Sequence, residues 1–252
     1  MNRRKNYLKV ASDLFFVQGR WTKWFLVIIT LVYIKQAVFA LLNNNPEEDF
    51  YAFSFVSSNI YMFVIGIIAA CVMLSYYVRN GVTRRDYFKG ALLAVIGLSL
   101  AIIAYSLVIT GLERLIIKLG NLPLIIDNKA AELFAWTDYD EWVLVAKIIG
   151  ALVISPFIDL ESNWLVSLVL ACLNFVASYL IGWLIGAGYY RFGWLWGFGF
   201  IGTAIVLMVL WDYIWSIGFE ISQIGSILGS VVFIVLVSGL IYTITSRVAI
   251  RL

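Results

Sequence analysis

The chain has 252 residues, of which 63% are apolar and 13% charged, and its formal charge is +3. Soluble domains carry about 25% charged and about 45–50% apolar residues. So large an apolar excess cannot be covered by polar surface in one soluble core, and long apolar runs identify a multi-span helical membrane protein. The small net charge gives no reason to expect a nucleic-acid partner, and the absence of histidine excludes H-E-x-x-H metalloproteases and serine–histidine dyads.

In chain order, Met1–Lys23 is basic, and the apolar run after it leads to an acidic loop without a small-residue cleavage site, so no cleaved signal peptide is expected. Within it Tyr7, Val10, Ala11, Leu14 and Phe15 recur at helical spacing, which predicts an amphipathic helix over residues 5–20 lying on the membrane surface. Six runs then have the roughly 20 apolar residues that a bilayer core of about 30 Å requires. They cover residues 24–42, 54–78, 91–112, 164–187, 195–216 and 224–246, with tryptophan or tyrosine at many of their ends. The expected fold is therefore all-α, integral to the membrane, as a single domain over residues 1–252.

Charge orients the spans. Arg3, Arg4, Lys5, Lys9, Arg20 and Lys23 precede the first, Arg79, Arg84, Arg85 and Lys89 lie between the second and third, Arg191 follows the fourth, and Arg247 and Arg251 follow the sixth. Six spans place all thirteen on one side, opposite Glu47, Glu48, Asp49 and a long loop, 113–163, with eight acids and four bases. The positive-inside rule then puts both termini in the cytoplasm. Trp142–Leu160 is apolar enough to span, but a seventh crossing would move Arg191, Arg247 and Arg251 outside. With Lys147 and Pro156 inside it and acids on both flanks, it reads as an interfacial or re-entrant helix on the outer face.

Few charges interrupt the runs. Lys35, beside Gln36, either snorkels towards the outer acidic loop or touches a substrate path. Asp212 reads as interfacial rather than as part of a proton relay. Cys71 and Cys172, both in apolar runs, read as packing thiols. No G-x-x-x-x-G-K-[ST] loop is present, so ATP chemistry has to come from another chain.

The most informative stretch is Arg79-Asn-Gly-Val-Thr-Arg-Arg-Asp-Tyr-Phe-Lys-Gly90. Asn80-Gly81 supplies a tight turn, and Thr83 an N-cap for a short helix Arg84–Lys89, with Asp86 in its first turn. The expectation is a short helix parallel to the membrane with basic and aromatic side chains exposed. Together with Gly182-Trp-Leu-Ile-Gly-Ala-Gly-Tyr-Tyr-Arg-Phe-Gly193, this pattern resembles type-2 ATP-binding-cassette (ABC) exporter permeases of the Gram-positive bacterial kind.

That resemblance implies a coupling helix, residues 79–90, docking on an ABC ATPase through Gly81, Val82, Thr83, Arg84, Arg85, Asp86, Tyr87 and Phe88. ATP and magnesium would be held by that ATPase and no cofactor by this chain. A second permease, the same or a related chain, would complete the transporter. The plainer reading of the same stretch is a basic turn held to anionic lipid by Arg84, Arg85 and Lys89.

The pairs Gly182/Gly186, Gly193/Gly197 and Gly225/Gly229 let helix backbones approach, either within the chain or between permease copies. The expected function is export of a hydrophobic or amphipathic substrate (a peptide, antibiotic or lipid-like molecule) rather than catalysis by this chain. One rival is a non-transporting sensor or immunity protein that binds a toxin or peptide on the outer face through 113–161. Another is a lipid-acting membrane enzyme using Asp138, Asp140 and Glu141.

Overall fold

A computed structural model describes residues 6–43, 49–122, 160–221 and 223–246. All of the regular structure in these residues is helical: α1 (Asn6–Asn43), α2 (Phe50–Ile68), a π-helical turn (Ala69–Met73), α3 (Leu74–Arg79), α4 (Arg84–Gly120), α5 (Leu160–Phe192), α6 (Trp194–Ile221) and α7 (Gln223–Ser246). α2, the π-turn and α3 form one rod. Among the described residues six helices are therefore long and apolar enough to cross a membrane, consistent with a multi-pass helical membrane protein.

α5 is the central post. In its membrane-length window 78% of residues are buried, against 22% in α1 and in α6. Glycine lets α2 run directly against it. A Cβ added at Gly66 would come within 2.0 Å of Tyr179 O, and one at Gly182 within 2.0 Å of Phe63 O. α2 and α5 run parallel: Tyr51 lies beside Ser167, Phe55 beside Phe175 and Asn59 beside Ser178. α4 ends, and α5 begins, at the end of the bundle that holds Asp49 and Glu113. Tyr7, Arg84, Arg191 and Ser246 gather at the opposite end. The two ends are called acidic and basic below.

Three expectations change. The surface helix over residues 5–20 is not a separate element, because α1 runs unbroken from Asn6 to Asn43. The apolar stripe expected to face lipid packs on α4 instead: Val10 abuts Gly90, and the Phe15 ring approaches Gly97. An apolar helical stripe specifies only that something apolar covers it, and a neighbouring helix meets that need as well as lipid does.

The short helix Arg84–Lys89 is likewise the opening of α4 rather than a piece of its own. The acidic loop also starts later than residue 113 and ends before 163. α4 continues to Gly120, where Asn121 turns left-handed at φ 46° and its N–H bonds Ile117 O; α5 already begins at Leu160. Helix extends beyond the apolar run because Glu113 and Arg114 find polar partners there. The interfacial reading of 142–160 falls, apart from Leu160, outside the described residues.

Candidate functional site

The link between the second and third spans folds through its own turn chemistry. Gly81 N–H donates to Val78 O at 3.0 Å and Val82 N–H to Tyr77 O at 3.0 Å. Gly81 takes φ +83°, a conformation costly for any residue with a Cβ. Thr83 Oγ1 accepts from Asp86 N–H at 3.1 Å and donates to the Asp86 carboxylate at 2.8 Å, which caps α4. The turn and the cap match what the sequence predicts.

The aromatic pair does not. Tyr87 and Phe88 are buried, at 0% and 7% exposure, where an exposed docking surface was expected. Because the link leads straight into α4, its first turn faces the core. The Tyr87 ring lies between Tyr77 and Trp183, at centroid distances of 5.6 and 6.0 Å. Its hydroxyl donates to Ala69 O at 2.7 Å, the first carbonyl of the π-turn. Phe88 packs on Trp183 at 5.5 Å and on Tyr242 of α7 at 5.2 Å.

Two arginines hold the end of α7. Arg84 Nη1 donates to Ser246 O at 3.3 Å, and Arg191 Nη1 to Ile244 O at 3.1 Å. Carbonyls in the last turn of a helix lack intrahelical donors and carry partial negative charge, so guanidinium groups suit them. Lys89 Nζ lies 5.9 Å from the Tyr7 ring, and the adjacent Gly90 leaves room for Val10. One twelve-residue link thus touches α1, the π-turn, α5 and α7. Gly81, Thr83, Arg85 and Lys89 remain exposed, and Val82, Arg84 and Asp86 are half-buried.

The other sequence candidates are dispersed. Gly182 and Gly186 pack on α2, the latter with room for a Cβ only 2.8 Å from Ile67 O. Gly193 forms the turn between α5 and α6 at φ +87°, while Gly197 lies under the Tyr189 ring and Gly229 under Ile214. These glycines serve packing and a turn within the chain. Gly225 is exposed. Lys35 and Gln36 are exposed near the acidic end of α1, just beyond Tyr33, which meets Glu113. Among the described residues no group of three metal-ligating side chains forms.

Sequence reasoning missed two polar anchors. Gln18, 0% exposed, donates through Nε2 to Met73 Sδ and to Tyr179 OH, each at 3.2 Å. At the acidic end Glu113 accepts from Tyr33 OH at 2.5 Å and from Phe50 N–H at 3.0 Å, while Arg114 pairs with Asp49 at 3.3 Å. Gln18 carried a usable signal, being a polar residue one turn beyond Leu14 on the buried stripe. No known protein family matches the chain, and neither does any curated protein or solved structure.

Proposed function

We propose that this chain is the membrane-spanning subunit of an ABC exporter, driven through the 79–90 link by an ATPase on another polypeptide. The observation that carries this reading is the link itself. Its outer surface offers Arg85, Lys89 and a glycine turn, while its inner surface is wedged into the core by Tyr87, Phe88 and Arg84. A push on such a knot reaches α2, α5 and α7 together, as a drive point requires. A basic turn serving only to orient the chain in the membrane needs no such wedging.

In this reading both termini and the basic end face the cytoplasm, in accord with the positive-inside rule, and the cargo is hydrophobic or amphipathic. The membrane concerned is the bacterial plasma membrane. The test is a mild-detergent pull-down of the tagged chain beside Arg85→Glu, a variant that leaves the buried contacts intact. Co-purification of a Walker-A ATPase with the parent and its loss from the variant support the proposal. Recovery of no ATPase with either chain overturns it in favour of a sensor or immunity protein acting at the acidic end.

A further inference from the structure

The three rods that touch α1 agree on where the middle of the bundle lies. The uncharged stretch of α4 runs from Gly90 to Leu112, that of the α2–α3 rod from Phe50 to Val78, and that of α5 from Ser162 to Tyr190. Their midpoints are Ala101, Val64 and Val176. On α1, Tyr7 lies beside Lys89, Val10 beside Gly90, Phe15 beside Gly97 and Tyr33 beside Glu113. That register sets Arg20 and Lys23 opposite residues 100–103. The other two rods agree, because Gln18 bonds Met73 and Tyr179, and Thr22 lies 2.9 Å from Tyr61 OH. Arg20 and Lys23 therefore stand at mid-depth, and both are exposed.

α4 leaves a bilayer little room to shift. Lys89 and Glu113 stand about 36 Å apart along its axis, a close fit to a hydrocarbon core of about 30 Å. On α1 the exposed pair Lys23 and Lys35 is only about 18 Å apart. The two neighbouring helices thus offer the membrane very different thicknesses.

The charges of α1 form a stripe. At about 100° per residue, Lys9, Asp13, Arg20 and Lys23 fall within about 40° of the direction opposite the buried Gln18. Interrupted only by Phe16, the stripe runs from the basic end to mid-depth. Beyond it the same face is apolar, with Val27, Leu31, Ile34 and Val38 exposed. Asp13 accepts from Tyr77 OH at 2.5 Å, and among the described residues Lys9, Arg20 and Lys23 meet no carboxylate.

Tryptophan marks the same level. Trp21 and Trp24 are 41% and 62% exposed, and Lys23 Nζ lies 6.0 Å from the Trp24 ring. Basic and tryptophan side chains together are the composition of a membrane–water boundary. On α3 and α6 the exposed aromatics Tyr76, Trp194 and Trp196 place that boundary at the basic end instead. Asp13 is level with Tyr77 and precedes Trp21 and Trp24 by two to three turns, so the boundary lies about 12–17 Å deeper on α1.

A bilayer meets exposed charge at depth, or a short hydrophobic stretch, by thinning and by admitting water and headgroups. A stripe that starts at the basic end and stops at mid-depth suits groups entering from the adjoining leaflet. A partner helix crossing the whole membrane would need no such continuity. We propose that phospholipid headgroups of the leaflet at the basic end follow this stripe inward. Arg20 and Lys23 bind their phosphates at mid-depth, and α1 thereby thins the bilayer along one edge of the bundle. Anionic lipids are favoured, because the stripe carries three cations and one acid. Nothing in this depends on an ATPase or on which end is cytoplasmic.

The test uses the purified full chain with Cys71→Ala and Cys172→Ala, in vesicles of phosphatidylcholine and phosphatidylglycerol. A spin label at Phe16→Cys, a site on the stripe that is 67% exposed, is compared with one at Val206→Cys, 58% exposed on α6. Their depths match. Phe16 is close to Gln18, which bonds Tyr179, while Val206 lies midway between Phe200, beside Gly188, and Trp211, which bonds Asn174. A water-soluble nickel chelate is expected to relax the Phe16→Cys label at least about fivefold faster than the Val206→Cys label. Equal shielding of both labels overturns the proposal.

With a fluorophore in place of the spin label, a phospholipid carrying a nitroxide on its headgroup is expected to quench Phe16→Cys about threefold more than Val206→Cys. Nickel access without this quenching means water alone, which overturns headgroup binding. Arg20→Gln with Lys23→Gln, both changes on exposed side chains, is expected to remove most of the difference between the two sites. An unchanged difference overturns the role of the two bases. In native membranes, shielding of the Phe16→Cys label by a cross-linked polypeptide overturns the proposal in favour of a protein partner. The vesicles hold no ATPase, so failure here and failure of the pull-down with Arg85→Glu are distinguishable.

Discussion

The two ends of the bundle are closed by different physics. At the basic end the 79–90 link is locked by aromatic and backbone packing, with Tyr87, Phe88 and Trp183 buried against a π-turn. At the acidic end α1, α2 and α4 are joined by a few charge-assisted bonds through Glu113, Asp49 and Arg114. Packed cores have discrete arrangements and transmit displacement, whereas a small polar cluster can open without repacking its neighbours. The comparison separates a rigid end, fit to receive a push, from an end held by a handful of bonds.

The largest effect is expected where the rigid half has no slack. In Gly182→Ala the new Cβ would meet the Phe63 carbonyl at 2.0 Å, and backbone cannot step aside. A cost at or above about 3 kcal/mol is expected, read as loss of a monodisperse peak in detergent gel filtration. A normal peak would show that α2 and α5 are not locked together.

Next is Tyr87→Phe, which keeps the ring but leaves the Ala69 carbonyl buried without its hydroxyl donor. Its expected cost is about 1–3 kcal/mol. The half-buried Cys71 sits in the π-turn and bonds Gly186 O, so it reports on this region directly. Faster maleimide labelling of Cys71 in a Cys172→Ala background is the predicted result, and an unchanged rate would show that Tyr87 does not hold the turn.

Glu113→Ala sharpens the contrast from the other side. It removes the acceptor for Tyr33 and Phe50 at a cost of about 1.5–3 kcal/mol in detergent melting, without altering Cys71 labelling. A change in Cys71 reactivity would mean that the two ends are coupled. Thr83→Ala should cost about 1 kcal/mol by loss of the α4 cap. Smallest in stability is Arg85→Glu, within about 0.5 kcal/mol of the parent, although it is the variant expected to lose the ATPase.

Much of the architecture is legible in the residues. Six apolar runs announce six helices, and Asn80-Gly81 and Thr83 announce a turn and a cap, because these depend on composition and on local backbone chemistry alone. Tyr87 and Phe88 were misplaced for the same reason. Beside four basic residues they read as surface, and only the direction in which α4 leaves the turn carries them into the core. Gln18 shows the limit from the other side: its polarity was visible, but not that Met73 and Tyr179 would meet it.

By itself, then, the sequence determined that this is a multi-span helical membrane protein, where most helices lie and which connections are charged. Hydrophobic run length and turn propensity act over a few residues, so they can be read along the chain. Tertiary structure alone decided that α5 is the post, that the stripe of α1 faces α4 and that the 79–90 link is a knot. Those facts depend on which faces of distant helices meet, and an apolar face specifies only that it must be covered.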